Sequence, residues 1–427
     1  MVLPLVIAAV AVPLRTGGEG ADLAHATPAD ALSVLLVLLA LSPLLVANGY
    51  ARWAGDGRVS SPLMWGVAVV MGAATLSTLV ADDLIVASTG YVRAAQLMFC
   101  VPLAVVVALR RRTDLWLLLG AFVVVAAAES ALGIVQFATG SGAGYGQTNI
   151  RGVGTFGAYE ILALAAVATI GLVVALAVAL CTPGVVRRWA LAAAALSAGG
   201  VVVSLSRGFW LATTIAVFVT LIAAGRQRLA AVLTIAVAVV LAGVLSGAIT
   251  PGGTLGDRLE SATEAVTSPD QSLLDRYALW GAAKAMWSDA PVLGVGLKGF
   301  ERHRDQHTNV GFSGLSDIAD SDGFRRVELL TPHNRYLLIL AEQGVVGLIA
   351  FAVLYGGALV AAARRLARRA DSGVVRAFGV AMVAATTVDL ISWMSDDGVG
   401  SLAVVSAVVL GGLLWFGSGA AVEETEV

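Results

Sequence analysis

The sequence predicts an all-α polytopic membrane protein of about twelve transmembrane helices, and three observations carry that prediction. The first is composition: of 427 residues, 58% are hydrophobic and 13% charged, with a mean hydropathy of +0.87. A water-soluble core cannot hide so much apolar surface, so lipid must be the solvent. The second is periodic: apolar stretches of roughly the 17 to 25 residues needed to cross a bilayer recur along the chain. The third is the concentration of arginine in alternate connections.

The spans are expected at 1–14, 31–51, 62–80, 87–109, 115–137, 158–180, 189–205, 208–224, 229–249, 337–363, 374–394 and 398–416. The first lacks a basic leader and an Ala-x-Ala-like cleavage site, so it reads as a retained, short or tilted helix. With the N-terminus in the cytoplasm, Arg52 and Arg58, Arg110 to Arg112, Arg187 and Arg188, Arg226 and Arg228, and Arg364, Arg365, Arg368 and Arg369 all face inward. The opposite short connections carry Asp82, Asp83, Asp396 and Asp397. This is the positive-inside pattern. It divides the chain into nine spans over 1–249, one long external loop over 250–336 between spans nine and ten, and three spans with an acidic cytoplasmic tail (Glu423, Glu424, Glu426) over 337–427. Cys100 and Cys181 lie in or beside apolar segments, which argues against a disulfide framework. A net charge of −2 suggests no nucleic-acid partner.

The chemistry-bearing residues gather where this topology meets the outer face. Thr331-Pro-His-Asn-Arg-Tyr-Leu-Leu-Ile-Leu-Ala-Glu-Gln-Gly344 reads as a helix start, with Thr331 as cap, Pro332 first and Gly344 as terminator. His333 would then be the second helical residue, beside unsatisfied N–H groups that favour neutral imidazole and attract phosphate. Ser204-Leu-Ser-Arg-Gly208 falls between two spans, where an arginine needs a partner or an anion. Leu273 to Trp287 reads as an amphipathic helix whose stripe of Leu273, Tyr277, Trp280 and Trp287 suits the headgroup zone and presents Arg276 there. Asp289-Ala-Pro291 stops it, and Gly294-Val-Gly296-Leu-Lys298-Gly299 forms a tight turn. Residues 301–328 read as a solvated lid; His303 and His307, four apart, lack a matching carboxylate for a metal. Arg93 is expected to pair with Asp82 or Asp83, and Gly199-Gly200 to mark a close helix contact. The Gly-rich 140–157 stretch is too irregular for a helix and lacks a P-loop's Gly-Lys-Ser/Thr ending.

Together, Ser206-Arg207-Gly208, Arg276 with Trp280 ahead of Pro291 and Gly294-Val295-Gly296, and His333-Asn334 with Tyr336-Leu337, Leu340, Glu342 and Gly344 resemble the O-antigen ligase and polymerase superfamily over roughly residues 150 to 360. The resemblance implies a GT-C-like membrane glycosyltransferase of the bacterial cytoplasmic membrane. It would move a glycan from undecaprenyl (polyprenyl) diphosphate to a glycan, glycolipid or protein acceptor on the outer face. It implies His333 as the catalytic residue and Arg207 and Arg276 as holders of the donor diphosphate. Further substrate contacts are expected from Asn334, Arg335, Tyr336, Ser206, Arg93, Arg151, Glu160 and Lys298. Relatives often carry an Asn-Pro-Asn-like run where this chain has Gly157-Ala158-Tyr159-Glu160. No cofactor or metal is expected, since two guanidiniums can neutralise a diphosphate leaving group. A polymerase differs only in its acceptor and stays open. A transporter would instead need polar groups at the bilayer midplane, where Asp389 is the main charge.

Overall fold

The computed structural model describes residues 2–12, 27–42, 62–145, 150–157, 160, 162–227, 229, 233, 271–308, 312–320, 323–396, 400 and 402–422. Its helices are α1 (Val2–Val10), α2 (Pro28–Leu41), α3 (Leu63–Leu79), α4 (Leu84–Ala95), α5 (Val101–Ala108), α6 (Arg112–Thr139), α7 (Ala163–Cys181), α8 (Gly184–Val203), α9 (Arg207–Ala223), α10 (Gln271–Asp289), α11 (Gly299–His307), α12 (Arg335–Ala367), α13 (Gly373–Ser392) and α14 (Leu402–Gly417). A π turn at Gln96–Cys100 joins α4 to α5. That joined stretch, with α6, α7, α8, α12 and α13, is long and apolar enough to cross a membrane; α2, α3, α9 and α14 are shorter apolar helices. The protein is a multi-pass membrane protein. Helices overlap each expected span but the ninth, 229–249, which lies largely outside the described residues. Also outside them are Arg52, Arg58, Arg228, Tyr159, 250–270 with Asp257, Asp397 and the acidic tail.

α7, α13 and α14 form the centre of the bundle, with Phe378, Trp415 and Phe416 fully buried. Around α7 pack α6, α8 and α13, while α12 packs on α3 and α14. Small residues permit these approaches, because lipid gives little hydrophobic drive and close packing must supply the contact. Gly199 and Gly200 of α8 do meet α6, at Ile134 and Ser130. Trp189, beside Arg187 and Arg188 and 73% exposed, suits a headgroup boundary at one end of α8.

The all-α expectation misses one element. β2 (Leu315–Asp320) and β3 (Gly323–Glu328) form an antiparallel hairpin, and β1 (Gly144–Tyr145) adds to β2 as a third strand. The supposed lid is therefore a helix followed by a sheet. Asp322-Gly323 between two short β-capable runs is a hairpin signal that the density of charge obscured. α10 buries one face and leaves aromatic residues of the expected stripe outside. Leu279, Ala282, Ala283 and Met286 are buried with Phe300 and Ala341, whereas Tyr277 and Trp287 stay exposed.

Candidate active site

The helix expected to begin at Pro332 begins at Arg335. Asn334 is the cap, its side chain accepting the Leu337 N–H at 3.1 Å. Thr331 and Pro332 stay outside because His333 adopts a left-handed φ of +47°, which no helix interior contains. His333 therefore stands at the mouth of α12 rather than on its second residue. A non-glycine residue there costs roughly 1–2 kcal/mol and persists only where its neighbours are fixed. Both are. Trp280 of α10 donates its indole N–H to the Pro332 carbonyl at 2.9 Å, and the Arg335 N–H donates to the carbonyls of Trp393 (2.8 Å) and Asp396 (3.1 Å).

The turn after α13, Trp393 to Asp396, is thus the platform under the His333 segment. Asn334 Nδ2 donates to the Met394 carbonyl at 3.3 Å, and the Tyr336 hydroxyl to the Leu390 carbonyl at 2.6 Å. The Arg335 guanidinium sits 4.5 Å over the Trp393 ring and is 9% exposed. Such a desolvated cation–π contact is worth about 2 kcal/mol. Arg335 and Tyr336 consequently point into the protein. Ser395 of the same turn faces α9: a Cβ on Gly208 would lie 3.3 Å from its Oγ. Arg207, the first residue of α9, is exposed beside it, preceded by buried Ser206 at the cap position. Half-buried Arg276 stands one turn before Trp280 on α10, next to Asp275, which accepts the Ser313 N–H (2.9 Å) and Oγ–H (2.6 Å). α9 and the start of α12 thereby meet at one platform, and α10 joins them through the Trp280–Pro332 hydrogen bond.

Gly344 interrupts α12 with φ +62° and ψ −163°. At this break the N–H groups of Val345 and Val346 leave the helical ladder and donate to the carbonyls of Pro291 (3.0 Å) and Val292 (3.2 Å). The carbonyls of Ala341 and Glu342 accept instead from Val295 (2.9 Å) and Gly296 (3.0 Å). These four backbone groups at the kink are paired with the turn after α10. The Glu342 carbonyl also accepts from Ser77 Oγ at 2.6 Å, and its carboxylate from the Phe300 N–H at 3.3 Å.

The remaining candidates lie elsewhere. Arg93 pairs with Asp30 of α2, not with Asp82 or Asp83; it also donates to Gln96 Oε1 (3.0 Å) and the Gly400 carbonyl (3.3 Å). A buried acid on a neighbouring span outcompetes exposed loop acids for a partly desolvated arginine. Glu160 approaches Gly400 from another side. Arg151 is buried and bridges Ala143 through its backbone. Lys298 has φ +60° and lies against Gly90 of α4. Asp389 is enclosed, accepting from Ser406 Oγ at 3.1 Å.

The loop acids serve α11. Asp83 takes Arg302 at 3.2 Å and Asp82 takes His303 Nε2 at 3.1 Å, while His307 Nε2 meets Asp289 at 3.0 Å. The two histidines face different carboxylates, and among the described residues no group of three or more His, Cys, Asp or Glu converges. The His303 carbonyl, followed by the Asp289 carboxylate, holds the His307 pKa above the ordinary imidazole value of about 6.5. A raised folded-state pKa means that this contribution is complete below the ordinary value and is lost as pH rises through the raised one. Hydrogen exchange of 299–307 is accordingly expected to quicken from pH 5.5 to 8.5 beyond the intrinsic rate change. His307→Gln should abolish that extra dependence.

The sequence reading passed over Glu129 and Gln136, two polar residues seven apart within the largely apolar α6. Both bind the 151–157 loop: Glu129 accepts the Thr155 N–H at 2.8 Å, and Gln136 accepts from Val153 at 2.9 Å. Their spacing on one helical face was the available signal.

Compared with known families, residues 192–352 match the model of the O-antigen ligase family. The matched stretch contains Ser206, Arg207, Arg276, Lys298, His333, Asn334, Arg335 and Tyr336, and leaves Arg93, Arg151 and Glu160 outside. No curated protein matches the chain.

Proposed function

We propose that this chain, a multi-pass membrane enzyme whose residues 192–352 form an O-antigen ligase domain, transfers a glycan from a polyprenyl diphosphate to an acceptor hydroxyl on the outer face of the bacterial cytoplasmic membrane. What supports the reading is that the Trp393–Asp396 turn and the Trp280–Pro332 hydrogen bond fix the backbone on both sides of His333, with Gly208, next to Arg207, packed at Ser395 of that turn and Arg276 one turn before Trp280. Neutral His333 takes the proton of the acceptor hydroxyl as its oxygen attacks the anomeric carbon. The bond from that carbon to the diphosphate oxygen breaks, and the electron pair leaves on the diphosphate. Arg207 and Arg276 neutralise the developing charge, a task for which the planar guanidinium fork suits phosphate oxygens. Direct displacement inverts the anomeric centre. Arg335 and Tyr336 support the segment from within, and Asn334 fixes the helix start beside the base.

A lipid-linked glycan acceptor would make the same chemistry a polymerase; a foreign acceptor makes it a ligase. Release of polyprenyl diphosphate by the reconstituted enzyme tests the reading. Arg207→Ala and Arg276→Ala are each expected to lower kcat/KM by roughly a hundredfold or more, with Arg207→Lys recovering only part because a point charge cannot bind bidentately. Millimolar EDTA is expected to leave the rate unchanged; abolition by EDTA would overturn the metal-free step.

A further inference from the structure

The stretch 151–156 folds back against the C-terminal half of α6 and touches the end of the helix that leads to Arg207. Thr155 donates its N–H to Glu129 at 2.8 Å. Glu129 lies ten residues before the end of α6 at Thr139, roughly 15 Å along the helix axis at 1.5 Å per residue. Non-helical backbone packed among helices needs partners for its polar groups. Gln136 supplies most of that: its Oε1 accepts the N–H groups of Val153 (2.9 Å) and Gly154 (2.8 Å), and its Nε2 donates to the Gly154 carbonyl (2.8 Å). Gly152 lets the loop press on α6, since a Cβ there would lie 2.9 Å from the Gly133 Cα and 2.8 Å from its carbonyl carbon.

The loop's outward contact is specific. The Gly152 N–H donates to the Val203 carbonyl at 3.0 Å. Val203 ends α8, and the next three residues form the turn that delivers Arg207 to the first position of α9. Within that turn Leu205 is held at φ +51° while buried. A left-handed leucine is costly and needs external fixing. The clamped Val203 carbonyl contributes to it, beside the Leu205 N–H that donates to the Val202 carbonyl at 3.1 Å.

We propose that Gln136 is a positioning residue for Arg207. By locking the 151–156 loop it fixes the end of α8, and so the direction in which Arg207 meets the donor diphosphate. Gln136 itself touches no substrate. The proposal rests on the transferase reading and extends it to a residue outside the matched family segment.

The test is a double-mutant cycle on Gln136 and Arg207 in proteoliposomes, read as the Kd for polyprenyl diphosphate together with donor KM, acceptor KM and kcat. Gln136→Ala is expected to weaken donor affinity roughly tenfold to a hundredfold, with acceptor KM and the pH profile unchanged. Gln136→Glu keeps two of the three loop contacts and should fall between. In an Arg207→Ala background, Gln136→Ala should cost nothing further, because the two act in series. Additive losses, or a Gln136→Ala enzyme that binds donor normally, would overturn the proposal. So would equal loss on every parameter in both Gln136 variants, which is the mark of a merely structural role. If Arg207→Ala alone binds polyprenyl diphosphate as tightly as the native enzyme, the donor-site reading itself fails, and this inference with it.

Discussion

His333→Ala is expected to lower the turnover number by about 10²- to 10⁴-fold, the range a positioned general base contributes, while donor KM changes little. The expectation follows from where the residue stands. His333 is outside the helix, on a strained left-handed backbone, with Pro332 held by Trp280 and Arg335 held by the Trp393–Asp396 turn. Side-chain truncation leaves those backbone anchors intact, so folding should survive and only the proton acceptor disappears. His333→Gly is the informative companion. It removes the imidazole and relieves the φ +47° strain, so it should be as inactive as His333→Ala and at least as stable. Exogenous imidazole should restore part of the rate in either variant.

Gly344→Ala is expected to destabilise the protein by about 3 kcal/mol or more and to abolish transfer with it. With φ +62° and ψ −163° the residue occupies a region that is essentially reserved for glycine. An added Cβ would also lie 2.6 Å from the Leu293 nitrogen and closer still to the Val292 carbonyl. The four backbone hydrogen bonds between 291–296 and 341–346 would have to part, and α10, with Arg276 and Trp280, would shift from the His333 segment. Gly356→Ala and Gly357→Ala provide the control within the same helix. A Cβ at either position meets nothing within 4 Å, so both should be neutral or stabilising by up to about 1 kcal/mol. Thermal unfolding in detergent or nanodiscs separates the two cases.

The spans were legible because bilayer thickness imposes a length on every crossing helix. Gly294, Gly296 and Gly344 were legible as turn and terminator residues, but not as halves of one docking surface. That relation exists only in three dimensions. The helix start was misread because Thr331 and Asn334 both suit a cap, and the choice fell to the left-handed His333 between them. Arg93 found Asp30, 63 residues away, since burial raises the cost of leaving an arginine unpaired and sequence proximity does not. The hairpin at 315–328 was hidden by its charge. Gln136 was legible only through its spacing from Glu129 on one face of α6; its partners in the 151–157 loop exist only in three dimensions.

The central claim is that this membrane enzyme moves a glycan from polyprenyl diphosphate to an acceptor through His333. Its most direct test is a stoichiometric turnover experiment in proteoliposomes with a defined glycan donor and hydroxyl acceptor, following polyprenyl diphosphate release and the anomeric configuration of the product by NMR. One released diphosphate for each inverted glycosidic bond, lost in His333→Ala, is the predicted result. Retention of configuration, or undiminished transfer by a folded His333→Ala enzyme, would contradict the account.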